Sequence, residues 1–458
     1  MIRRSALVAV AMAATTACAD NVVHDGAAAP PPIEITPRWA RASGDGASQV
    51  PRGVAVDPDG EVFVVGEYGG TFELAGRLDT PKGSFVSGFV AKLGRDGTPR
   101  WSRRVGSSED AAAFAIAVGR DGHAHVGGWF RGTMTVDGHT LISAGDTDAF
   151  LVELDRDGVA VRAMRFGDDG SQAITPIAAA DDTVVAAGDF DGRIDLGGGA
   201  LISAGQLDAF VARFERGAHV WSTRLGGPLR DQRPGVALGR DASVFVAATY
   251  RGPVDLGGGP LPDRFDGAFL ARLSPAGAHV WSKGFPGEGW CFPTALAVGD
   301  DRVALAARFT EVVDVGNGPI ASTSGEDALL AVFGEGGALR AAARFGGFGQ
   351  DVIGGIAWDH GALWASGELQ TTFGPLTTTG GPDLFVARLS GDLSLLAAAR
   401  FGDEQEQRGT RVAVDPGGGG AVVVGSFFGA LDFGVAKVAS AGGLDRLGGD
   451  VFVASFGN

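Results

Sequence analysis

One recurring position carries most of the residues that could do chemistry. It lies ten residues after a repeated tryptophan position and is occupied by Gln49, Ala111, Gln172, Asp231, Cys291, Asp351 and Gln407. Carboxylates and amides can hold cations and sugar hydroxyl groups. Repeated around an axis, these side chains would form a polar ring at the mouth of a channel. The candidate ligand-binding residues are Gln49, Gln172, Asp231, Asp351 and Gln407.

A competing interpretation of this position stays open. Side chains of this type often bond to the backbone amides of nearby loops and hold those loops in place. If they bind a ligand instead, Asp110, Asp169 and Glu404 lie close enough along the chain to help. A Ca²⁺ ion is then the cofactor to consider, and otherwise we expect none.

Other metal-binding patterns are incomplete. Asp155-x-Asp157-Gly158 resembles the start of a calcium loop but lacks the later acidic ligands, so we expect a hairpin turn there. His123 and His125 lie two residues apart, with no further ligands at matching spacing. We therefore predict no metal site from these motifs.

The motifs of common enzyme classes are missing from the sequence. There is no Gly-x-Ser-x-Gly elbow, phosphate-binding loop or paired-cysteine redox motif, and Cys18 and Cys291 are the only cysteines. Histidines 219, 279 and 360 fall in or beside short turns, on the face expected to lie opposite the long loops. An enzyme of this sequence would therefore work with carboxylates or a metal, as a hydrolase or lyase at the channel mouth.

These residues are positioned by a unit of about 60 residues that recurs seven times after residue 38. An aromatic or leucine residue marks one strand at Phe89, Phe150, Phe210, Phe269, Leu329, Phe385 and Phe452. The following strand starts near Trp39, Trp101, Arg162, Trp221, Trp281, Ala341 and Ala397. The regular spacing indicates a structural repeat rather than a set of separate domains.

Each unit contains four short segments with strand alternation, separated by turns with Asp and Gly. Seven units of four antiparallel strands predict an all-β, seven-bladed β-propeller. The first strand of each unit has alanine at its centre, as expected where wedge-shaped blades converge on an axis. These alanines are Ala55, Ala117, Ala178, Ala237, Ala297, Ala357 and Ala413.

The strand order predicts how the ring closes. Residues 37–43 form a strand that precedes the first complete unit, so we expect it to join the last blade and remove the exposed sheet edges. The long connections within the units, such as Asp191 to Gln206, are candidates for a binding surface. Gly197 to Gly199 equally suit an extra hairpin in the same stretch.

The N-terminal residues indicate export. Residues 1–17 contain two arginines followed by an apolar stretch, which is typical of a secretory signal. Thr15-Thr16-Ala17-Cys18 resembles a bacterial lipobox with Thr15 in place of the usual leucine, so we expect lipid on Cys18; ordinary cleavage nearby is the alternative. Residues 18–37, rich in Ala and Pro, would be a flexible tether, and residues 38–458 the propeller.

The repeat resembles the bacterial β-propeller repeat (SBBP repeat) family of exported and cell-surface proteins. The resemblance is carried by Asp-Ala-Phe-Val-Ala-Arg, Trp-Ser-Thr-Arg-Leu-Gly-Gly and Val-Ala-Val-Asp-Pro-Asp-Gly, and it spans Trp39 to Asn458. It implies the fold and a location in the bacterial envelope, at the outer membrane or cell surface, and it supplies no shared catalytic residues.

The most direct functional hypothesis is a lipid-anchored, non-enzymatic scaffold that binds a glycan, protein or other surface ligand through its long-loop face. A purely structural envelope component and the hydrolase or lyase are the alternatives. The net charge of −16 argues against nucleic acid as a partner. We expect a monomer that contacts the membrane only through its N-terminal lipid.

Overall fold

The computed structural model describes residues 35–457 except 83, 263–264, 379, 419 and 442–448, and it omits the side chains of 233 and 324. The signal segment, Cys18 and most of the tether lie outside the described residues. Within them every regular element is a β-strand, so the all-β prediction is confirmed for this part of the chain. None of these residues forms a helix long and apolar enough to cross a membrane.

The seven sequence units give seven sheets built on four antiparallel strands each. In six of them the strands follow one another in chain order, and in the last the N-terminal strand takes the fourth place. We number the sheets 1 to 7 from the N-terminus. The first strands are Gln49–Val56, Ala111–Val118, Gln172–Ala180, Gln232–Leu238, Cys291–Val298, Val352–Asp359 and Gln407–Val414. The second strands are Val62–Tyr68, Ala124–Phe130, Thr183–Phe190, Val244–Tyr250, Arg302–Phe309, Ala362–Leu369 and Ala421–Phe427.

The third strands are Ser87–Leu93, Asp148–Leu154, Asp208–Glu215, Gly267–Leu273, Ser324–Gly334, Asp383–Leu389 and Asp450–Gly457. The fourth strands are Pro99–Val105, Ala160–Phe166, Ala218–Leu225, His279–Gly284, Leu339–Phe345, Leu395–Phe401 and, in sheet 7, Thr36–Ser43. This repetition of one antiparallel sheet is the architecture of a β-propeller.

Short turns with Asp and Gly produce this strand pattern. In the turn between the third and fourth strands of sheet 2, Asp155 Oδ1 accepts hydrogen bonds from the N–H groups of Asp157 and Val159, at 3.0 and 2.9 Å. Gly158 has a φ of 79°, which a β-carbon would disfavour. The segment that resembles a calcium loop is therefore a hairpin turn.

The apolar core lies between the sheets. Seven clusters of buried side chains each combine residues of two sheets, and one of them joins sheet 7 to sheet 1. The repeated aromatic or leucine of the third strand belongs to these clusters and is at most 1% exposed in every copy. Burying one such side chain stabilises the fold by about 1.5–3 kcal/mol.

The N-terminal strand belongs to the last sheet. Thr36–Ser43 pairs antiparallel with Asp450–Gly457, and Arg41 lies opposite Val453. Trp39 Nε1 donates to the carbonyl of Arg95 in sheet 1 at 2.8 Å, and Arg95 forms an ion pair with Asp415 at 2.6 Å. Trp221 makes the same kind of bond to Pro275 of the next sheet, at 2.9 Å. Sheets 7 and 1 therefore contact each other as consecutive sheets do.

The connections between second and third strands hold additional short strands. The pairs are Thr71–Glu73 with Arg77–Asp79, Thr133–Val136 with His139–Ile142, Arg193–Asp195 with Ala200–Ile202, Val312–Asp314 with Pro319–Ala321, Thr372–Phe373 with Leu376–Thr377, and Ala430–Asp432 with Lys437–Ala439. Sheet 4 has a single bridge, from Asp255 to Pro260, at this place. Gly287–Glu288 pairs with Val312–Val313, and Phe348–Gln350 runs parallel to residues 324–326.

The connection from Asp191 to Gln206 is therefore an extra hairpin, which was the alternative to an open binding loop. It packs because Ile194 inserts into the apolar cluster between sheets 2 and 3 and is fully buried. Its tip reaches the fourth strand: a β-carbon on Gly198 would lie 2.1 Å from His219 Cε1. His219 lies beside the turn between the third and fourth strands, as predicted, and it nevertheless contacts a long connection because the hairpin folds back along the sheet.

We expect the N-terminal strand to be required for stability. A chain that begins at Ile35 retains the strand, whereas one that begins at Asp45 exposes the edge of the C-terminal strand and loses the packing of Trp39. The shorter chain should lose about 3 kcal/mol or more of unfolding free energy, the cost of removing one well-packed tryptophan. Urea denaturation of the two chains measures the difference, and equal stabilities would contradict the expectation.

Candidate functional site

The predicted polar ring is located where the first strands begin, and it is buried. Gln49, Ala111, Gln172, Asp231, Cys291, Asp351 and Gln407 are each at most 2% exposed. All seven make the same backbone contact: the N–H donates to the carbonyl of the residue that lies three positions before the repeated aromatic or leucine in the third strand of the preceding sheet. The distances run from 2.8 Å, for Gln172 to Thr147, to 3.2 Å, for Gln49 to Gly449. We call this contact the ring bond.

The carboxylates of the ring hold two loops together. Asp231 accepts the N–H of Gly227 at 2.7 Å and that of Arg251 at 3.0 Å. Asp351 accepts the N–H groups of Gly347 and Gln370, at 3.1 and 2.8 Å. In both cases one loop precedes the first strand and the other follows the second strand.

The glutamines of the ring hold the corresponding loops through their side-chain amide groups. Gln172 Oε1 accepts the N–H of Asp168 at 3.3 Å, and its Nε2 donates to the carbonyl of Asp191 at 3.3 Å. Gln407 makes the corresponding bonds to Asp403 and Phe428 at 3.2 and 3.1 Å. Gln49 donates to Asp45 and Gly69 at 2.8 and 3.3 Å.

Burial changes the pKa of one carboxyl group of the ring, that of Asp231. Loss of solvent raises the pKa of Asp231, against the lowering effect of the two backbone N–H groups that it accepts. A ligand could reach the carboxylate only after these loop bonds break. The structure thus brings the seven positions together and uses the side chains to hold loops; a direct role in ligand binding stays a prediction.

A second buried ring was missed by sequence reasoning. The residue two before the repeated aromatic is an aspartate in five sheets, and each is at most 2% exposed: Asp148, Asp208, Asp327, Asp383 and Asp450. Arginines of the fourth strand bind four of them, with distances of 3.0 Å for Arg344 to Asp327 and 2.7 Å for Arg400 to Asp383.

This ring also explains a recurrent glycine. A β-carbon on Gly402 would lie 1.9 Å from Asp383 Oδ1, and one on Gly226 would lie 2.5 Å from Asp208 Oδ1. The repeated sequence motifs already contain the aspartate, the arginine and the glycine of this ring, in Gly-x-x-Asp-Ala-Phe and Trp-Ser-x-Arg-Leu-Gly. Their pairing became visible only with the strand register.

Residues that do face a cavity lie three positions further along each first strand. There the register with the second strand is interrupted in all seven sheets, between Pro51 and Gly53 in sheet 1 for example. A β-bulge of this kind turns a side chain out of the ladder. The residues at this place are Arg52, Phe114, Thr175, Pro234, Thr294, Gly354 and Thr410.

The bulged segments of all seven first strands line one cavity of about 680 Å³, which we call the channel. Four arginines line it: Arg52, Arg308, Arg408 and Arg411. The acidic lining residues are Asp189 and Glu368, and burial raises the pKa of Glu368 while the charge of Arg408 opposes the rise.

Aromatic side chains lie near the start of the first strand in sheet 5. Trp290 and Phe292 stack with ring centroids 4.6 Å apart, and the guanidinium of Arg308 lies 5.5 Å from each ring centroid. In sheet 4, Arg251 covers the ring of Phe265, which is 71% exposed. Large apolar side chains on this surface, rimmed by charge, are typical of interaction sites.

The described residues contain no group of three or more His, Cys, Asp or Glu side chains placed to hold a metal ion. His123 Nδ1 lies 2.9 Å from Glu153 Oε1. Burial lowers the pKa of His125, which favours its neutral form. Cys291 is a buried free thiol.

No protein family model matches the chain. A WD repeat-containing protein of Acanthamoeba polyphaga mimivirus is 28% identical over 158 residues, which cover 30% of this chain and 11% of that protein. The chain therefore corresponds to a small part of that relative.

Several solved structures are similar at low identity. The WD40 domain of Neurospora crassa Pan2 has a TM-score of 0.45 and 11% identity, covering 93% of this chain and 97% of that one. A protein of unknown function from Dyadobacter fermentans has a TM-score of 0.40 and 12% identity, covering 93% and 98%. Since these scores are low, the propeller assignment depends on this chain's own sheets.

The ring aspartates should behave as structural residues when they are replaced. In Asp351→Asn, either orientation of the amide places an NH₂ group against a backbone N–H donor, so the unfolding free energy should fall by about 1–3 kcal/mol. Urea denaturation measures it. Asp157→Asn, at an exposed turn residue, changes the charge equally and should leave stability unchanged. Unaltered stability of Asp351→Asn would instead favour a ligand role.

Proposed function

We propose that the seven sheets form one closed, seven-bladed β-propeller in which the strand Thr36–Ser43 completes the last blade. The support is the equivalence of the contacts between sheets 7 and 1 to those between other consecutive sheets. The ring bond joins Gln49 to Gly449 as it joins Gln172 to Thr147. One apolar cluster combines Val62 and Val64 with Val451 and Val453.

We further propose that the protein is a non-enzymatic scaffold that binds a ligand at the channel and at its mouth where the first strands begin. The observation that carries this proposal is the bulge shared by all seven first strands. It directs into one cavity residues of five different types, from Arg52 and Phe114 to Thr175. A chain that needed only a packed axis would not require such different residues there.

The hydrolase or lyase alternative has less support. It would use the ring carboxylates as acid, base or metal ligand, but Asp231 and Asp351 are buried and accept backbone N–H groups from two loops each. A general acid or base must lie within hydrogen-bond reach of its substrate. The arrangement therefore favours binding over catalysis.

We base the proposed cellular location on the amino-acid sequence. The resemblance to SBBP repeats and the signal-like N-terminus favour an exported protein of the bacterial envelope, held at the outer membrane or cell surface by lipid on Cys18. The ligand would be a glycan, a protein or another surface component rather than a nucleic acid. The protein would act as a monomer.

Filling the channel should remove binding and leave folding intact. A screen of the full chain by thermal shift against glycans and peptidoglycan fragments should identify a compound that raises the melting temperature. Thr175→Trp places an indole in the channel and should weaken that compound at least tenfold, because the ligand and the indole compete for one space. Titration calorimetry measures the affinities.

Ile202→Trp is the matched control, since Ile202 is 59% exposed on an outer hairpin. It should bind the compound as the unaltered protein does. Equal binding by Thr175→Trp, with an unchanged melting temperature of the free protein, would show that the ligand site lies elsewhere.

Replacing Cys18 should release the protein from membranes. A thioether-linked lipid requires the thiol, so Cys18→Ala should move the protein from the membrane fraction to the soluble envelope fraction and abolish labelling by a radioactive fatty acid. Cys291→Ala removes the other cysteine and should remain in the membrane fraction with its label. Fatty-acid labelling of Cys18→Ala equal to that of the unaltered protein would rule out this anchor.

A further inference from the structure

Arg411 differs from the other three arginines that line the channel. Arg52 forms an ion pair with Glu67, Arg308 with Glu326 at 2.9 Å, and Arg408 with Glu368 at 3.0 Å. Arg411 has no acidic partner among the described residues. Its Nη1 atom donates to the carbonyls of Gly354 and Thr410, at 3.0 and 2.8 Å.

The backbone around Arg411 is built to hold the side chain in place. Two glycines of the neighbouring first strand allow the strands to approach: a β-carbon on Gly355 would lie 2.8 Å from the Arg411 Cα atom, and one on Gly354 would lie 2.6 Å from the Gly409 carbonyl oxygen. This approach brings the Gly354 carbonyl within hydrogen-bond distance of the guanidinium. Thr410 Oγ1 donates to the carbonyl of Val424 at 3.1 Å, which fixes the bulge next to Arg411.

The guanidinium remains open to the channel. Arg411 is exposed to solvent, although channel residues surround it. Arg52 carries a like charge and lines the same cavity. An anion placed near both guanidinium groups interacts favourably with each of them.

We propose that the channel binds an oxyanion group of a small ligand, a carboxylate or a phosphate, at Arg411 with Arg52 as the second cation. The bonds to Gly354 and Thr410 come from Nη1, which leaves the N–H groups of Nε and Nη2 to donate. A guanidinium group can bind two oxygens of such a group at once. Phe114, whose ring centroid lies 5.2 Å from the Arg52 guanidinium carbon, provides an apolar surface beside the site.

This inference rests on the proposed binding role and gives it a ligand chemistry. The overall net charge of −16 disfavours the approach of an anion at long range. Salt screens that repulsion beyond about 8 Å at physiological ionic strength, whereas the contacts inside the channel act at hydrogen-bond distance. The anion therefore has to enter the channel to be held.

Calorimetric titration of the full chain with inorganic phosphate and with glucuronate, at constant ionic strength, tests the inference. At least one of the two should bind, and the tighter arm identifies the group as phosphate or carboxylate. Arg411→Gln should weaken that binding at least tenfold. Arg411→Lys retains the charge but loses the paired N–H donors, so its affinity for the anion should lie between that of the unaltered protein and that of Arg411→Gln.

Arg120→Gln is the charge-matched control, because the Arg120 side chain is 83% exposed and lies 3.4 Å from Asp181. It should bind as the unaltered protein does. Arg52→Gln is the second channel variant; it leaves both carbonyl bonds of Arg411 in place and should also weaken binding, so the test does not depend on the folding of Arg411→Gln.

Two results would overturn the inference: binding of neither anion by the unaltered chain, or equal binding by the unaltered chain, Arg411→Gln and Arg52→Gln. If a neutral glycan binds and Thr175→Trp blocks it while neither anion binds, the oxyanion site is wrong and the scaffold role stands. Loss of anion binding in Thr175→Trp as well as in Arg411→Gln supports both the oxyanion site and the scaffold role.

Discussion

The ring bond is the contact on which the rest of the structure depends. It joins the start of each first strand to the residue three positions before the repeated aromatic or leucine in the third strand of the preceding sheet, and it recurs in all seven copies. Because the residues that donate this bond are buried, water does not replace it easily, and a buried N–H without a partner costs about 1–3 kcal/mol. The neighbouring Asp and Gln side chains and the Asp–Arg pairs then fix the loops on either side. The sheets are thereby held at one mutual position, and the apolar clusters fill the space between them.

Holding the sheets in this way separates two kinds of residue along the same strand. The residue that makes the ring bond is enclosed, whereas the bulged residue three positions later faces the channel. The first kind can vary only among side chains that satisfy loop amides or fit an apolar space, such as Gln407 and Cys291. The second kind meets solvent, so Arg52, Phe114 and Gly354 can occupy equivalent places. Specific binding can be built on the second without disturbing the first.

The repeat made much of the fold predictable, because the sequence contains its own internal comparison. Phe210 and Ala117 recur at fixed positions, and the Asp-Gly turns mark the strand ends, so the four-stranded sheets and the pairing of residues 36–43 followed from chain order. The site was less accessible. A bulge inserts one residue without a residue-type signature, and Thr410 and Phe114 look unrelated until the register places them together. The sequence also does not show whether Asp231 binds a ligand or holds loops in place, because an aspartate suits both roles and its burial decides between them.

The pairing of the first described strand with the last has a consequence for how the chain folds. Thr36–Ser43 is synthesised well before its partner Asp450–Gly457, because the other six sheets lie between them in the chain. Contacts between distant parts of a chain form slowly because a long loop must be closed first. Six sheets can assemble before Asp450–Gly457 is made, whereas the seventh can gain its fourth strand only afterwards. Until then the N-terminal strand is an unpaired edge segment, and the nascent protein depends on whatever shields that segment from other chains.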